Sequence, residues 1–438
     1  MDNAEPAGRR GDLPPVLLAD ATWYGTLAAV RDLGAHGVPV VLASDKGFAP
    51  AQWSRFTRRL VRCPPTKEPD RFFQWLLDFG ERWPGHVYYP TSDSTAWLAA
   101  VYRDSLAKRF TLFSPPASAL SALLDKAQMT AAAQSAGLDV PDTWYPRTEA
   151  ELEQLANELP FPLVVKPRSQ VFNLGGLKGD RIGDRAELLA SWRRHASRRP
   201  ASSTHGLPET AVPILQRFYP TSERIYTVDG FIDPSGELFA TLGCTKLLQL
   251  PRGSGSGLVF EESEVGAEIE ARLQRFFRSI GFWGIFDAEF LECGDRLLLI
   301  DVNPRIYNHM DFEIKRGLPL AWLAYLGALD DRDRLKAAVR EARAALPSPG
   351  RAYVHRLPTR ILLLFQRLSG GMSARETREW RRWLASHAGA ANDPTRWPDD
   401  PGPEVGDVFY HLLQLLQHPR NFFTSYWRRL GARPSRTG

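Results

Sequence analysis

The stretch that most constrains this chain is residues 281–305, GFWGIFDAEFLECGDRLLLIDVNPR. Phe286, Ala288 and Phe290 alternate with Asp287 and Glu289, Gly294-Asp295 interrupts the run, and an apolar run resumes at 297–300. Period-two alternation around a glycine-containing break predicts a strand, a tight turn and a second strand paired with the first. The second strand ends in Asp301-Val302-Asn303-Pro304-Arg305. Pairing would bring Glu289 near Asp301 and Asn303. Such hard oxygen donors suit Mg²⁺, which takes one or two carboxylates and completes its shell with water and substrate phosphates. Arg305 would add a fixed cation beside those phosphates. Taken alone, the hairpin fits equally well with acids that merely face water.

The rest of the chain supplies the context. A short apolar strand at 16–19, a helical pattern at 24–33 and a second strand at 40–42 make a parallel α/β unit. The first loop, residues 20–25, reads DATWYG and lacks the glycine fingerprint GxGxxG, which argues against NAD or FAD. A strand at 87–90 runs into Thr91-Ser92-Asp93 and a helix. That is the edge where open α/β sheets bind ligands, and also an ordinary helix N-cap. Further on, an apolar strand delivers Lys166 to Pro167, and a loop follows with Gly175, Gly176 and Lys178. Backbone N–H groups and lysines in such a loop can close over phosphates; a plain hairpin tip is the alternative. Gln216 ends another strand, Glu223 opens the next, and residues 246–257 combine Lys246 and Arg252 with three glycines.

Composition narrows the class. The chain has 438 residues, 43% of them hydrophobic and 24% charged, which is ordinary for a globular protein with two or three domains. A net charge of +5 suits an anionic metabolite and does not by itself call for nucleic acid. Three scattered cysteines without CxxC spacing point to a reducing cytosol and to no zinc site, and none of the nine histidines shows a paired spacing. No apolar run reaches membrane-spanning length, and residues 1–13 read as a disordered tail without a signal-peptide core.

Taken in order, Lys166, the loop at Lys178, Gln216 with Glu223, Lys246, Glu289 and Asp301-x-Asn303-x-Arg305 make the chain resemble the ATP-grasp superfamily over residues 16–329. DVNPR is similar to that superfamily's E-x-N-x-R signature, with Asp301 one methylene shorter than the commoner Glu. Three further segments resemble carbamoyl-phosphate-synthetase-like carboxylate–amine ligases, the group that includes D-aspartate ligase. These are Asp125-Lys126 before an AGLDVP turn, Gln216-x-x-x-Pro220, and Lys246-Leu-x-Gln-x-Pro-x-Gly253.

The resemblance implies a fold class and a layout. An α/β pre-ATP-grasp domain with a parallel sheet would span 14–122, and an α+β ATP-grasp domain 123–330. The latter would divide into a central lid at 123–216 and a metal-site subdomain at 217–330, with a helical C-terminal extension at 331–438. It also implies ATP and two Mg²⁺ ions, for which Mn²⁺ can substitute. Lys126 and Lys166 would hold phosphates, with Gly175, Gly176 and Lys178 as the loop above them. Gln216, Arg217, Phe218 and Tyr219 would lie along the adenine edge, and Glu223 would take the ribose hydroxyls. Arg217 stands where many members carry a second acid, so the adenine contacts would be mostly backbone. Glu289, Asp301 and Asn303 would bind the metal, while Lys246, Arg252 and Arg305 would face the carboxylate and its acyl phosphate.

The implied reaction joins a carboxylate to an amine with release of ADP and phosphate, in the cytoplasm; homodimers are common in the family resembled, and the oligomeric state stays open. Carboxylate–thiol ligation, bicarbonate activation and a regulatory nucleotide-binding role without turnover remain open beside it. The extension adds one more expectation. Glu379-Trp-Arg-Arg-Trp383 and the aromatic–arginine run at 422–429 would suit an anionic membrane surface or a lipid-linked substrate, or simply an amphipathic helical cap.

Overall fold

The computed structural model describes residues 13–172, 179–197, 207, 212–219, 224–253, 255–344 and 351–427. Five short strands open the chain: β1 (Val16–Leu18), β2 (Val40–Ser44), β3 (Thr57–Arg62), β4 (Val87–Tyr89) and β5 (Thr111–Leu112). They form one parallel sheet in the order β3-β2-β1-β4-β5. Its central strands are apolar at consecutive positions because both faces are covered. Val16, Leu18, Val40 and Leu42 join Leu27 and Val30 in one core. Leu17, Val41 and Tyr88 join Phe72 and Leu76 in the other. β3 lies at the edge and carries three arginines, which discourages pairing with another chain.

A smaller antiparallel sheet follows, built from β6 (Thr143–Trp144), β7 (Leu163–Lys166), β8 (Asp180–Ile182) and β9 (Ile214–Arg217) in the order β6-β9-β7-β8. It has its own core, in which Leu163, Val165 and Leu215 meet Leu188 and Trp192 of the helix Arg185–Ala196.

The third sheet has seven strands: β10 (Ile225–Ile232), β11 (Phe239–Leu250), β12 (Ser256–Ser263), β13 (Gly284–Cys293), β14 (Arg296–Asn303), β15 (Ala352–Val354) and β16 (Ala391–Asn392). Their order is β14-β13-β10-β11-β12-β15-β16. The expectation of a purely helical stretch after residue 331 is therefore incomplete. Five helices occur there among the described residues, but β15 pairs with β12 and β16 with β15, so this stretch extends the large sheet. Strands of three and two residues are too short to show a period-two pattern.

The same stretch is fastened to the first sheet by a buried arginine. Arg31, on the helix Tyr24–Ala35, is 0% exposed and meets Asp400, which is 1% exposed. Its Nε donates to Asp400 Oδ2 at 2.8 Å, and its other nitrogens donate to the carbonyls of Pro394, Thr395 and Asp400. Asp400 also accepts from the Ser54 hydroxyl and the Arg55 N–H, both at 2.8 Å. On the same helix, a Cβ at Gly25 would stand 2.2 Å from the Tyr307 carbonyl oxygen. Only glycine lets the helix approach the segment after Arg305 so closely.

Removing one member of a buried, fully hydrogen-bonded ion pair strands the other, at a cost of about 3–5 kcal/mol. Arg31→Ala is expected to lower the unfolding free energy by about that amount in urea titrations. Replacing the exposed Arg381 by Ala should leave the midpoint nearly unchanged.

Candidate active site

The hairpin β13–β14 does not run in simple register. Cys293 pairs with Arg296 and Phe290 with Leu299, but Glu289 pairs with Asp301, so Ile300 is left over on β14. That one-residue bulge decides the site. In unbroken register Asp301 and Asn303 would point to the same face as Ala288 and Phe290, into the core. With the extra residue, Asp301 lies beside Glu289 and Asn303 beside Asp287. β10 adds Thr227 opposite Glu289 and Asp229 opposite Asp287. β11 adds Cys244 opposite Thr227 and Lys246 opposite Ile225. One sheet face thus carries Asp229, Asp287, Glu289, Asp301 and Asn303.

Cations from four directions meet these acids. Lys246, 4% exposed, donates to Glu289 Oε1 at 2.8 Å. Lys126, at the start of the helix Lys126–Ser135, bonds to Asp301 Oδ1. Arg305 donates through Nε to Asp93 Oδ1 at 2.7 Å and through Nη2 to Asn303 Oδ1 at 3.0 Å. Asn303 in turn donates to Asp287 Oδ2 at 3.0 Å. Lys166, at the end of β7, donates to Gln216 Oε1 at 2.9 Å, and Gln216 donates to the Thr143 hydroxyl.

A buried clamp sets the spacing of Lys126 and Lys166. Arg168, two residues beyond Lys166, donates twice to Asp125 at 2.6 and 2.7 Å, and its carbonyl accepts the Lys126 N–H at 3.0 Å. Asp125 is fully buried and caps the Lys126 helix by accepting from Ala127 N–H.

The electrostatics follow from this crowding. Burial would raise the Asp301 pKa, but Lys126, with Lys166 and Arg305, outweighs it and holds the carboxyl below its ordinary value. Burial would lower Lys246, yet Glu289 and Asp287 hold it above. Burial and then the neighbouring Asp229 push Asp287 well up. Burial also raises Asp229 to about 6. Among the described residues Lys166 has no carboxylate in contact. Burial and then the like charge of Lys126 bring it down to about 7, with only Asp301 and Glu289 opposing.

The structure brings together Lys126, Lys166, Gln216, Lys246, Glu289, Asp301, Asn303 and Arg305. Arg252 is not among them: it donates to the Gly371 carbonyl at 2.9 Å and faces Glu376 in the helix Ala374–Ser386. Arg217 pairs with Asp142 at 3.2 Å and lies over the Tyr219 ring, at the rim of the smaller sheet. The N–H groups of Arg217 and Phe218 are already donated to Asp142 and Pro162. Gly175, Gly176, Lys178 and Glu223 lie outside the described residues, as do Arg428 and Arg429 of the arginine-rich end.

Three contributors escape a reading of the sequence, Asp287, Asp229 and Arg168, and a fourth, Asp93, is placed by it at a ligand-binding edge without its partner Arg305. Asp287 carried a signal, since it stands two residues before Glu289 and shares its face. Asp93 also had one, after a strand and before a helix, where Ser92 supplies the cap and leaves Asp93 for Arg305.

A search with protein-family models finds no match, and neither does a search of curated proteins. Solved structures do match. Biotin carboxylase from Campylobacter jejuni, in complex with β,γ-ATP, aligns at TM-score 0.57 and 14% identity over 73% of this chain and 72% of that one. L-amino acid ligase from Bacillus licheniformis aligns at 0.55 and 16% identity, over 77% and 78%. N5-carboxyaminoimidazole ribonucleotide synthetase from Thermus thermophilus aligns at 0.54 and 18%, over 72% and 78%.

Lys166 gives the site a measurable proton balance. A lysine held near 7 is mostly neutral at about pH 8, and phosphates bound beside it would draw its pKa back toward the ordinary value, so that a nucleotide bound there would take up a proton. The uptake should vanish below the lowered value, where Lys166 is already charged, and above the ordinary lysine range. Titration calorimetry of ADP in buffers of different ionisation enthalpy should show this uptake at about pH 8 and lose it in Lys166→Arg, whose side chain stays charged.

Proposed function

The chain has the ATP-grasp fold, and we propose that it is an ATP-dependent ligase that activates a carboxylate as an acyl phosphate and joins it to an amine. The observation that carries this reading is the interleaved set on one sheet face, with Glu289 and Asp301 each neutralised by a lysine and Arg305 fixed between Asp93 and Asn303.

The donor set fits Mg²⁺. Glu289, Asp301, Asp287 and the Asn303 carbonyl are hard oxygens on one face, and a buried oxygen of Asp287 has no hydrogen-bond partner among the described residues. These residues would hold the ion, whose charge would neutralise phosphate oxygens. Lys126 and Lys166 would lie along the phosphates, and Lys246 and Arg305 would hold the carboxylate and the transferred group.

In the first step a carboxylate oxygen attacks the γ-phosphorus, the bond to the β,γ-bridging oxygen breaks, and ADP leaves. The lysines and Arg305 stabilise charge spread over the equatorial oxygens, so their task is positioning and electrostatics. In the second step the amine nitrogen attacks the acyl carbon, phosphate leaves with the C–O bonding pair, and the nitrogen loses a proton. Arg305 suits both steps, because its fork is pre-oriented before substrate arrives.

The decisive experiment measures ADP and phosphate release from ATP·Mg²⁺ against amino acids and small carboxylates, with and without hydroxylamine. A hydroxamate formed from one carboxylate supports the reading and identifies half of the substrate pair. Phosphate release with bicarbonate and no hydroxamate from any organic acid would replace it by bicarbonate activation. Tight ADP binding with no turnover in a broad panel would favour a regulatory role. Asn303→Ala removes both the Arg305 and the Asp287 contact and should lower kcat at least ~100-fold while leaving the unfolding midpoint near wild type. Unchanged turnover would sink the metal assignment.

A further inference from the structure

Outside that face, three distant parts of the chain converge on one carboxylate. Asp407 and His411 stand one turn apart on the helix Gly402–Gln417. His355 directly follows β15, and Tyr24 opens the helix Tyr24–Ala35. His355 Nε2 lies 3.2 Å from Asp407 Oδ2, and His411 Nε2 lies 3.5 Å from Asp407 Oδ1. The two imidazole nitrogens and the carboxylate oxygen all fall within 4.8 Å of one another. From these positions we infer that His355, Asp407 and His411 form a binding site for a first-row transition dication, Zn²⁺ foremost.

Three features separate this cluster from an ordinary buried hydrogen-bond network. His411 Nε2 is buried and has no hydrogen-bond partner among the described residues, although it faces the carboxylate. A buried imidazole nitrogen normally finds a partner, and a metal ion would provide one. Next, each imidazole nitrogen stands at donor distance from the carboxylate, His355 Nε2 at 3.2 Å from Oδ2 and His411 Nε2 at 3.5 Å from Oδ1, where tetrahedral zinc with bonds of about 2.0–2.2 Å sets its donors ~3.3–3.5 Å apart. Last, the outer arrangement is present. The Tyr24 hydroxyl donates to Asp407 Oδ1 at 2.6 Å and orients the carboxylate, as partners of metal ligands do.

Two imidazoles and one carboxylate select against Mg²⁺ and Ca²⁺, which need more oxygen, and favour zinc and its neighbours. Water would complete the shell through His411, whose side chain is 14% exposed against 4% and 3% for His355 and Asp407. The other cluster of this kind, Asp229, Cys244, His309 and Glu313, is less suited. There the Arg316 guanidinium donates to Glu313 Oε1 at 3.1 Å, a fixed cation among the donors that opposes a second one. The cysteine count spoke against zinc only because it addressed thiolate sites. The spacing of His355 from Asp407-x-x-x-His411 gave no sign of the meeting.

The test uses the full chain, stripped with EDTA, desalted and reloaded with ZnCl₂ in the presence of excess Mg²⁺ and ADP, which occupy the other carboxylates. Metal retained after gel filtration is read by atomic emission, and Co²⁺ substitution by its visible d–d bands. One zinc per wild-type chain is expected, with a higher thermal midpoint and a tetrahedral cobalt spectrum. His411→Ala should weaken zinc at least ~100-fold and abolish the shift, with circular dichroism and ADP binding preserved. His411→Gln takes its place if the alanine variant does not fold. A folded wild-type chain that retains no zinc above the stripped baseline overturns the inference. So does equal retention by the folded His411 variant. Neither result depends on ligase turnover.

Discussion

One unpaired residue, Ile300, governs the chemistry of this molecule. Strand side chains alternate, so a hairpin has two possible faces for any acid, and the turn normally fixes which one is used. Here the turn register would bury Asp301 and Asn303 among phenylalanines. The leftover residue reverses them and places them beside Glu289 and Asp287. Consecutive burial of Leu298 and Leu299 marks where the alternation is broken. Everything else in the site answers the negative charge that this reversal concentrates on one face.

The answer comes from elements that have little else in common. Lys246 comes from the same sheet, Lys126 from a helix start, Lys166 from the smaller sheet, and Arg305 from the chain just past the hairpin. The Asp125–Arg168 pair couples two of these, so the smaller sheet and the Lys126 helix carry their lysines as one unit. Where burial and a neighbouring acid outweigh the cations within reach, the carboxyls are pushed up instead, as at Asp287 and Asp229. Arg305 has a different role: Asp93 binds it to the parallel sheet and Asn303 to the large one, so a single guanidinium spans the two layers.

Much of this was legible in the sequence, for local reasons. The β-rich runs, the parallel α/β opening, the strand-end lysine and the D-x-N-x-R segment all have short-range patterns, and Lys126, Lys166, Lys246, Glu289, Asp301, Asn303 and Arg305 do meet. What was illegible depends on long-range placement. Asp93 and Arg305 are 212 residues apart, and nothing near either one announces the other. Arg252 sits in a cationic loop beside Lys246, yet its guanidinium turns toward Gly371 because the helices after residue 351 pack against that end of β11. β15 and β16 are invisible to periodicity because pairing with a pre-existing edge needs almost no sequence of its own.

The buried Arg31–Asp400 pair places a demand on how the chain is made. Its partners are separated by 369 residues, so a growing polypeptide exposes Arg31 and the pocket around it until nearly the whole length has left the ribosome. The first sheet can assemble early, but its outer helix keeps an unsatisfied guanidinium in waiting, and the large sheet still lacks β15 and β16. The segment around Asp400 therefore joins the first helix in a late closing event, and a chain cut anywhere before Asp400 would leave a guanidinium built for burial open to solvent.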